Sequence, residues 1–355
     1  MAHLFIPGPT DVHPDVLAAQ AQTMIGHRGA EMEALFARLQ LKLRQIFYTP
    51  SRVYISTSSG TGLQEAAIRN CVAGKVLCCV NGAFSQRWYE VAIANGKQAE
   101  RLEIEWGRAI QPEMVVEALS IGDFDALIVV HNETSTGVAN PIQDLATLVH
   151  TRYPYVTILV DAVSSLGGVK LDFDGWGLDV LFTSSQKCLA LPPGLSFAAV
   201  TDRALAKAGA VANRGLYFDF IDLEKYLLKN QTPATPAISL MWALAAGLDR
   251  ILAEGLDARF KRHAQMAARA QEWAAGQFDL FAQAGYRSQT VTCVKNVRGI
   301  DVKALNVYLR ARAMQISDGY GKLKGITFCI AHMGEIGMAD LEIVLAVIDE
   351  FIDQQ

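Results

Sequence analysis

The sequence predicts an α/β protein with a large domain on a mostly parallel sheet and a smaller C-terminal α/β domain. Three observations carry this. The chain has 355 residues, more than a single hydrophobic core usually serves. Through the first two thirds, short apolar runs alternate with longer amphipathic segments, and after residue 230 that alternation gives way to long helical patterns. The runs are KVLCCV (75–80), DALIVV (125–130), VTILV (156–160), DVLF (179–182) and SFAAV (196–200). Continuous apolar runs of this length, separated by helical segments, mark strands buried on both faces of a parallel sheet. Thr235 and Pro236 then read as the cap and first turn of a helix carrying Leu240, Leu244, Leu248 and Ile251 at helical spacing. Two strands follow, Thr290 to Val294 and Ile326 to Ile330, and a last helix sets Leu341, Val344, Ile348 and Phe351 on one face. The expected division is an N-terminal segment (1–20), a large domain (21–250) and a small domain (251–355), with no repeats or low-complexity stretches.

Composition narrows the function classes. Hydrophobic residues make up 51% of the chain and the formal net charge is −4, so the basic surface that nucleic acid requires is not expected. The six cysteines sit mostly in apolar runs without metal-ligand spacing, which reads as reduced core thiols and no metal. MAHLFIPGPT lacks the regions of a signal peptide, and no apolar stretch is long enough to span a bilayer. The expected location is the cytoplasm, away from membranes.

In open α/β sheets ligands bind beyond the carboxyl ends of the strands, so the residues just after each apolar run matter most. Asp161 follows VTILV, His131 opens HNETSTG after DALIVV, NGAFSQRW follows KVLCCV, and Lys187 lies in TSSQKCLALPPG after DVLF. Before the helix containing Glu65 stands STSSGTG, residues 56–62. These segments supply the parts of a pyridoxal phosphate site: a lysine to form an imine, a carboxylate for the ring nitrogen, a phosphate cradle and a flat face for stacking. Ser59, Gly60 and Thr61 are the candidate cradle, because small residues at the positive end of a helix admit a phosphate to backbone N–H groups.

Taken singly, each segment has an ordinary structural explanation. A lysine after a strand is commonly a solvated loop residue, Asp161 reads equally as a helix cap, SSGTG as a turn, Phe84 as core, and His131 as a structural histidine. Convergence of five segments at one sheet edge favours the cofactor reading.

The order SGT, NGAFSQRW, HNETSTG, VDAVSSLGG and SSQKCLALPPG resembles the class V (fold-type I) aminotransferases, close to the alanine–glyoxylate and serine–pyruvate group. The match runs from PGPT near the N-terminus to GKLKG and HMGEIG near the C-terminus. The resemblance implies that Lys187 carries the cofactor imine and moves the substrate proton, that Asp161 pairs with the pyridine nitrogen, that Phe84 stacks on the ring, and that Thr134 lies near it. It assigns Ser59, Gly60, Thr61 and Gln186 to the phosphate. It further implies a homodimer with shared active sites, in which Thr232 or Thr235 of QTPATP reaches the neighbour's phosphate. The reaction would pass an amino group from a small donor to a 2-oxo acid such as pyruvate or glyoxylate.

One departure bears on substrate. The family pattern resembles GKLKGKIFRIGHMG, with an arginine that grips the substrate α-carboxylate; here the stretch is GKLKGITFCIAHMG and that position is Cys329. Three explanations stay open. Another cation takes over, with Arg28 leading and Lys322 and Lys324 behind; or the substrate is an amine, amide or phosphonate; or the chain is a non-catalytic partner subunit. A lyase or desulfurase is the alternative within the same cofactor chemistry, although such relatives carry a cysteine on a mobile loop. Cys329, in an apolar strand pattern, reads as an inert small hydrophobe.

Overall fold

A computed structural model describes residues 3–354. Its strands, in chain order, are β1 (His3–Phe5), β2 (Val53–Ser56), β3 (Lys75–Val80), β4 (Gln98–Glu103), β5 (Phe124–Val130), β6 (Asn132–Glu133), β7 (Val138–Ala139), β8 (Thr157–Asp161), β9 (Val180–Ser184), β10 (Ser196–Val200), β11 (Asp279–Leu280), β12 (Val291–Lys295), β13 (Met314–Asp318) and β14 (Thr327–Ala331). Seven form one sheet in the order β2-β10-β9-β8-β5-β3-β4. The run β9-β8-β5-β3-β4 is parallel, and β10 is antiparallel to both β9 and β2. Each apolar run named above forms one of these strands, with ends shifted by a residue or two at most. Every residue of β8, β9 and β10 is buried, as continuous apolar runs demand. The edge strand β4 reads QAERLE and has no buried residue. Its charges, suited to an edge, hid it from the apolar pattern.

The second sheet runs β1-β13-β14-β12-β11. Its first strand comes from the N-terminus and pairs parallel with β13, His3 opposite Met314. Residues 7–10 then thread back along the Lys187 loop, where the Thr10 amide donates to Gln186 O at 3.1 Å and Thr10 Oγ1 to Lys187 O at 3.1 Å. Helix Ile238–Glu254 packs into the core of the large sheet and helix Leu256–Gln277 into that of the second, with Gly255 between them. The expected cap at Thr235 is corrected here: the helix begins at Ile238 with Ala237 as its cap and no side-chain cap bond. Residues 232–236 instead line a surface cavity, so Thr235 stays outside the helical hydrogen bonding. No described helix is long and apolar enough to cross a membrane.

Candidate active site

Because β3, β5, β8 and β9 are parallel, their carboxyl ends share one edge, and a cavity of about 210 Å³ lies there. Ser59, Gly60, Thr61 and Gln186 line it, as do Phe84, Thr134, Asp161 and Lys187. Thr232 and Thr235 line a separate cavity of about 240 Å³, and Arg28 and Cys329 belong to neither lining.

Lys187 stands three residues beyond β9. Burial lowers its pKa to about 8, with Arg87 pushing the same way and Cys188 and Asp161 opposing. Its Nζ donates to Pro7 O. The N-terminal strap passes so close that a Cβ on Gly8, at φ +98°, would lie 2.6 Å from Lys187 Cδ. Gly8 therefore serves two needs, a left-handed backbone and room for the lysine stem.

Asp161 ends β8 and is 4% exposed. Its Oδ2 accepts from Gln64 Nε2 and its Oδ1 from the Val163 amide, both at 2.8 Å. Burial pushes its pKa up to about 6, while those two donors hold it down and Glu133 adds to the rise. A buried acid and a buried base thus face one cavity, each shifted toward its neutral form by desolvation.

The cradle segment opens helix Gly60–Cys71 behind Ser59, whose side chain makes no cap bond. The Gly62 amide donates to Ser59 O at 3.0 Å, and the amides of Gly60 and Thr61 before it are left for a ligand. A Cβ on Gly60 would lie 2.5 Å from Val163 Cγ2, so only glycine lets the helix end approach the Asp161 strand. Gln186 Oε1 is buried without a hydrogen-bond partner, an orphan polar group of the kind a bound ligand completes. Thr134 Oγ1 lies 2.6 Å from Ser164 Oγ, anchored to the loop after β8.

Two functional groups escaped the sequence reading. Glu133 is fully buried; its carboxylate accepts from the Ser85 amide at 2.9 Å, Ser85 Oγ at 2.9 Å, the Phe84 amide at 3.3 Å and Ser135 Oγ at 2.6 Å. It caps helix Ala83–Ala94 and fixes Phe84; the signal was an acid three residues past the end of β5 facing NGAFS, where a Cβ on Gly82 would collide with Glu133 Cγ. Gln64 is the second, reachable from the i+3 spacing after Thr61. His131 is structural: Nδ1 lies 2.8 Å from Ser165 Oγ, burial lowers its pKa to about 4, and it faces a different cleft.

Cys329 is 3% exposed in β14, directly opposite Cys293 of β12 and clustered with Cys188. A hydrogen bond with Cys293 and burial raise its thiol pKa well above the ordinary range. Arg28 donates to the backbone oxygens of Thr232 and Pro233 and lies over the Tyr226 ring at 5.0 Å.

The fold is that of the fold-type I transferases. The comparisons narrow that class. An alanine–glyoxylate aminotransferase from Nostoc sp. superposes with a TM-score of 0.93 at 30% identity, over 99% of this chain and 95% of its own. An uncharacterized aminotransferase of Methanocaldococcus jannaschii is 39% identical over 98% of this chain and 91% of its own length. A soluble hydrogenase small subunit of Synechococcus sp. is 35% identical over 96% of this chain and 90% of its own. The class V aminotransferase model matches residues 11–323, and the chain belongs to that family, as a pyridoxal-phosphate-dependent aminotransferase.

Proposed function

We propose that the protein transfers an amino group from a small amino acid to a 2-oxo acid such as pyruvate or glyoxylate, with Lys187 and Asp161 as the catalytic residues. The observation that supports this best is the pairing of Lys187 and Asp161, both buried at one cavity and both moved toward neutrality. The bound cofactor supplies an electron sink for the bond broken at the substrate Cα. Lys187 would hold the cofactor, and its amine would take the substrate Cα proton and return it, a task favoured by its lowered pKa. Asp161, fixed by Gln64 and Val163, keeps a proton at the ring nitrogen. Ser59, Gly60, Thr61 and Gln186 hold the phosphate, and Phe84, pinned through Glu133, gives the ring a flat neighbour. Thr134 keeps the edge of the ring in register.

The reading includes a cytoplasmic homodimer. Thr232 and Thr235 reach no part of the Lys187 cavity within one chain, and Leu216 (80% exposed) and Leu228 (74% exposed) present apolar surface beside their segment. Arg28 supports this role by holding the carbonyls of that segment. Light scattering should give twice the chain mass; a monomer that retains full activity would rule out the shared site. Cys329, with its raised thiol pKa and apolar neighbours, lies outside the lining of the Lys187 cavity and has no direct part in the reaction.

Reduction of the holoenzyme with borohydride, followed by peptide mapping, should place the pyridoxyl group on Lys187 within residues 183–194. An amino donor should bleach the cofactor absorbance before reduction. Label on another lysine, or no label despite full cofactor occupancy, defeats the assignment.

A further inference from the structure

The Lys187 cavity is lined by one other cation, Arg87. It lies one turn after Phe84 on helix Ala83–Ala94, a spacing that puts both side chains on one face. Its guanidinium carbon is 5.1 Å from the Phe84 ring centroid, and its Nη2 donates to Tyr320 Oη at 2.6 Å. The Phe84 and Tyr320 rings stack with centroids 5.3 Å apart. Arg87 is thus held from two sides, by its own helix and by a residue just beyond β13 of the second sheet. Among the described residues it has no carboxylate partner, and Tyr320 is its single hydrogen-bond partner. A half-buried guanidinium without a counter-charge carries a desolvation cost that an anionic ligand offsets, and its planar fork matches a carboxylate.

The other candidate cations are placed differently. Arg28 is bound to backbone oxygens outside this cavity. Lys322 sits over the Trp106 ring at 3.9 Å. Neither it nor Lys324 lines the cavity. We infer that Arg87, oriented by Tyr320, receives the carboxylate of the substrate, so that the substrates are amino acids and 2-oxo acids with an intact carboxylate. This rests on the aminotransferase reading for the identity of the substrates, but its geometry does not.

Isothermal titration of succinate into the pyridoxal phosphate-loaded protein reads the site without turnover. Saturable binding is expected, weakened about tenfold or more in Arg87→Met and less in Arg87→Lys, while cofactor affinity changes by less than about twofold. Tyr320→Phe, acting through Arg87, should weaken succinate by about threefold. With an active donor, Arg87→Met should raise KM and leave kcat within about threefold, the mark of lost uniform binding. Circular dichroism checks folding, and the lysine variant serves if the methionine variant does not fold. The assignment is overturned if succinate does not bind the wild type, if its affinity survives Arg87→Met, or if that change instead strips the cofactor and so places Arg87 on the phosphate. Wild-type protein that binds succinate through Arg87 yet transaminates no donor would sink the proposed function and leave this assignment standing.

Discussion

Two buried regions of the molecule differ in what their burial does. At the carboxyl edge of the large sheet, Lys187 and Asp161 are desolvated, brought near neutrality and set beside an unpartnered Gln186 Oε1 and an uncapped helix end. On the second sheet, Cys293 and Cys329 are equally buried, but the Cys329 thiol, pushed far up in pKa, stays uncharged among Val291, Ala331 and Met333. Desolvation of groups that must ionise creates chemistry, whereas desolvation of groups that need not ionise creates core. Orphan polar atoms alone do not mark the site, since His332 Nδ1 just beyond β14 is one too; what marks it is their convergence with two ionisable groups on one cavity.

The sharpest way to break this contrast is Lys187→Ala. Loss of the nucleophile and proton carrier should cut transamination by about 10⁴-fold or more and abolish the borohydride label, with cofactor still bound through its phosphate. Steady-state rates and absorbance check this; residual turnover within tenfold of wild type would move catalysis elsewhere.

Asp161→Asn tests the acid half and should cost about 10²–10³-fold in kcat. It also has a stability signature in the apoprotein. A carboxyl raised from its ordinary value to about 6 binds its proton more tightly when folded, so stability is greatest below its unfolded pKa and falls as pH rises through about 6. The asparagine substitution removes that contribution, so the melting temperature of the variant relative to wild-type apoprotein should increase between pH 4.5 and pH 7. A constant difference would mean that Asp161 is not desolvated.

Much of this contrast was legible in the chain. Strands β3, β5, β8, β9 and β10 announced themselves by continuous apolar runs, and the groups after them followed from the rule for open α/β sheets. What stayed hidden was set by contacts distant in sequence. β1 pairs with β13 across about three hundred residues, Gly8 is needed because of Lys187, and Gln64 matters through Asp161. β2, VYIS, was too short for a periodic pattern, and β4 too charged. Arg87 lies within NGAFSQRW, but its placement depends on Tyr320, just beyond β13, folding onto Phe84.

Close packing at the cradle gives a smaller effect. Gly60→Ala would drive a Cβ into Val163 Cγ2, and such overpacking costs about 1–3 kcal/mol. The helix end should shift and cofactor affinity fall about tenfold, since about 1.4 kcal/mol corresponds to that factor. Adding Val163→Ala should restore most of it, which a cofactor titration of the single and double variants checks. No rescue would mean that the glycine serves the phosphate directly.

The smallest effects belong to the second sheet. Cys329→Ser removes little volume and places a hydroxyl opposite Cys293, so the cost comes mainly from burying a more polar group, about 1–2 kcal/mol of stability. Because Cys329 lies outside the lining of the Lys187 cavity, kcat/KM should stay within about threefold of wild type, less than about 0.7 kcal/mol. The native thiol should also resist a thiol reagent at pH 8 until the protein unfolds, since burial and its raised pKa deny it both access and thiolate. Rapid native labelling of Cys329, with matching loss of turnover, would transfer this cysteine from core to active site and erase the difference between the two regions.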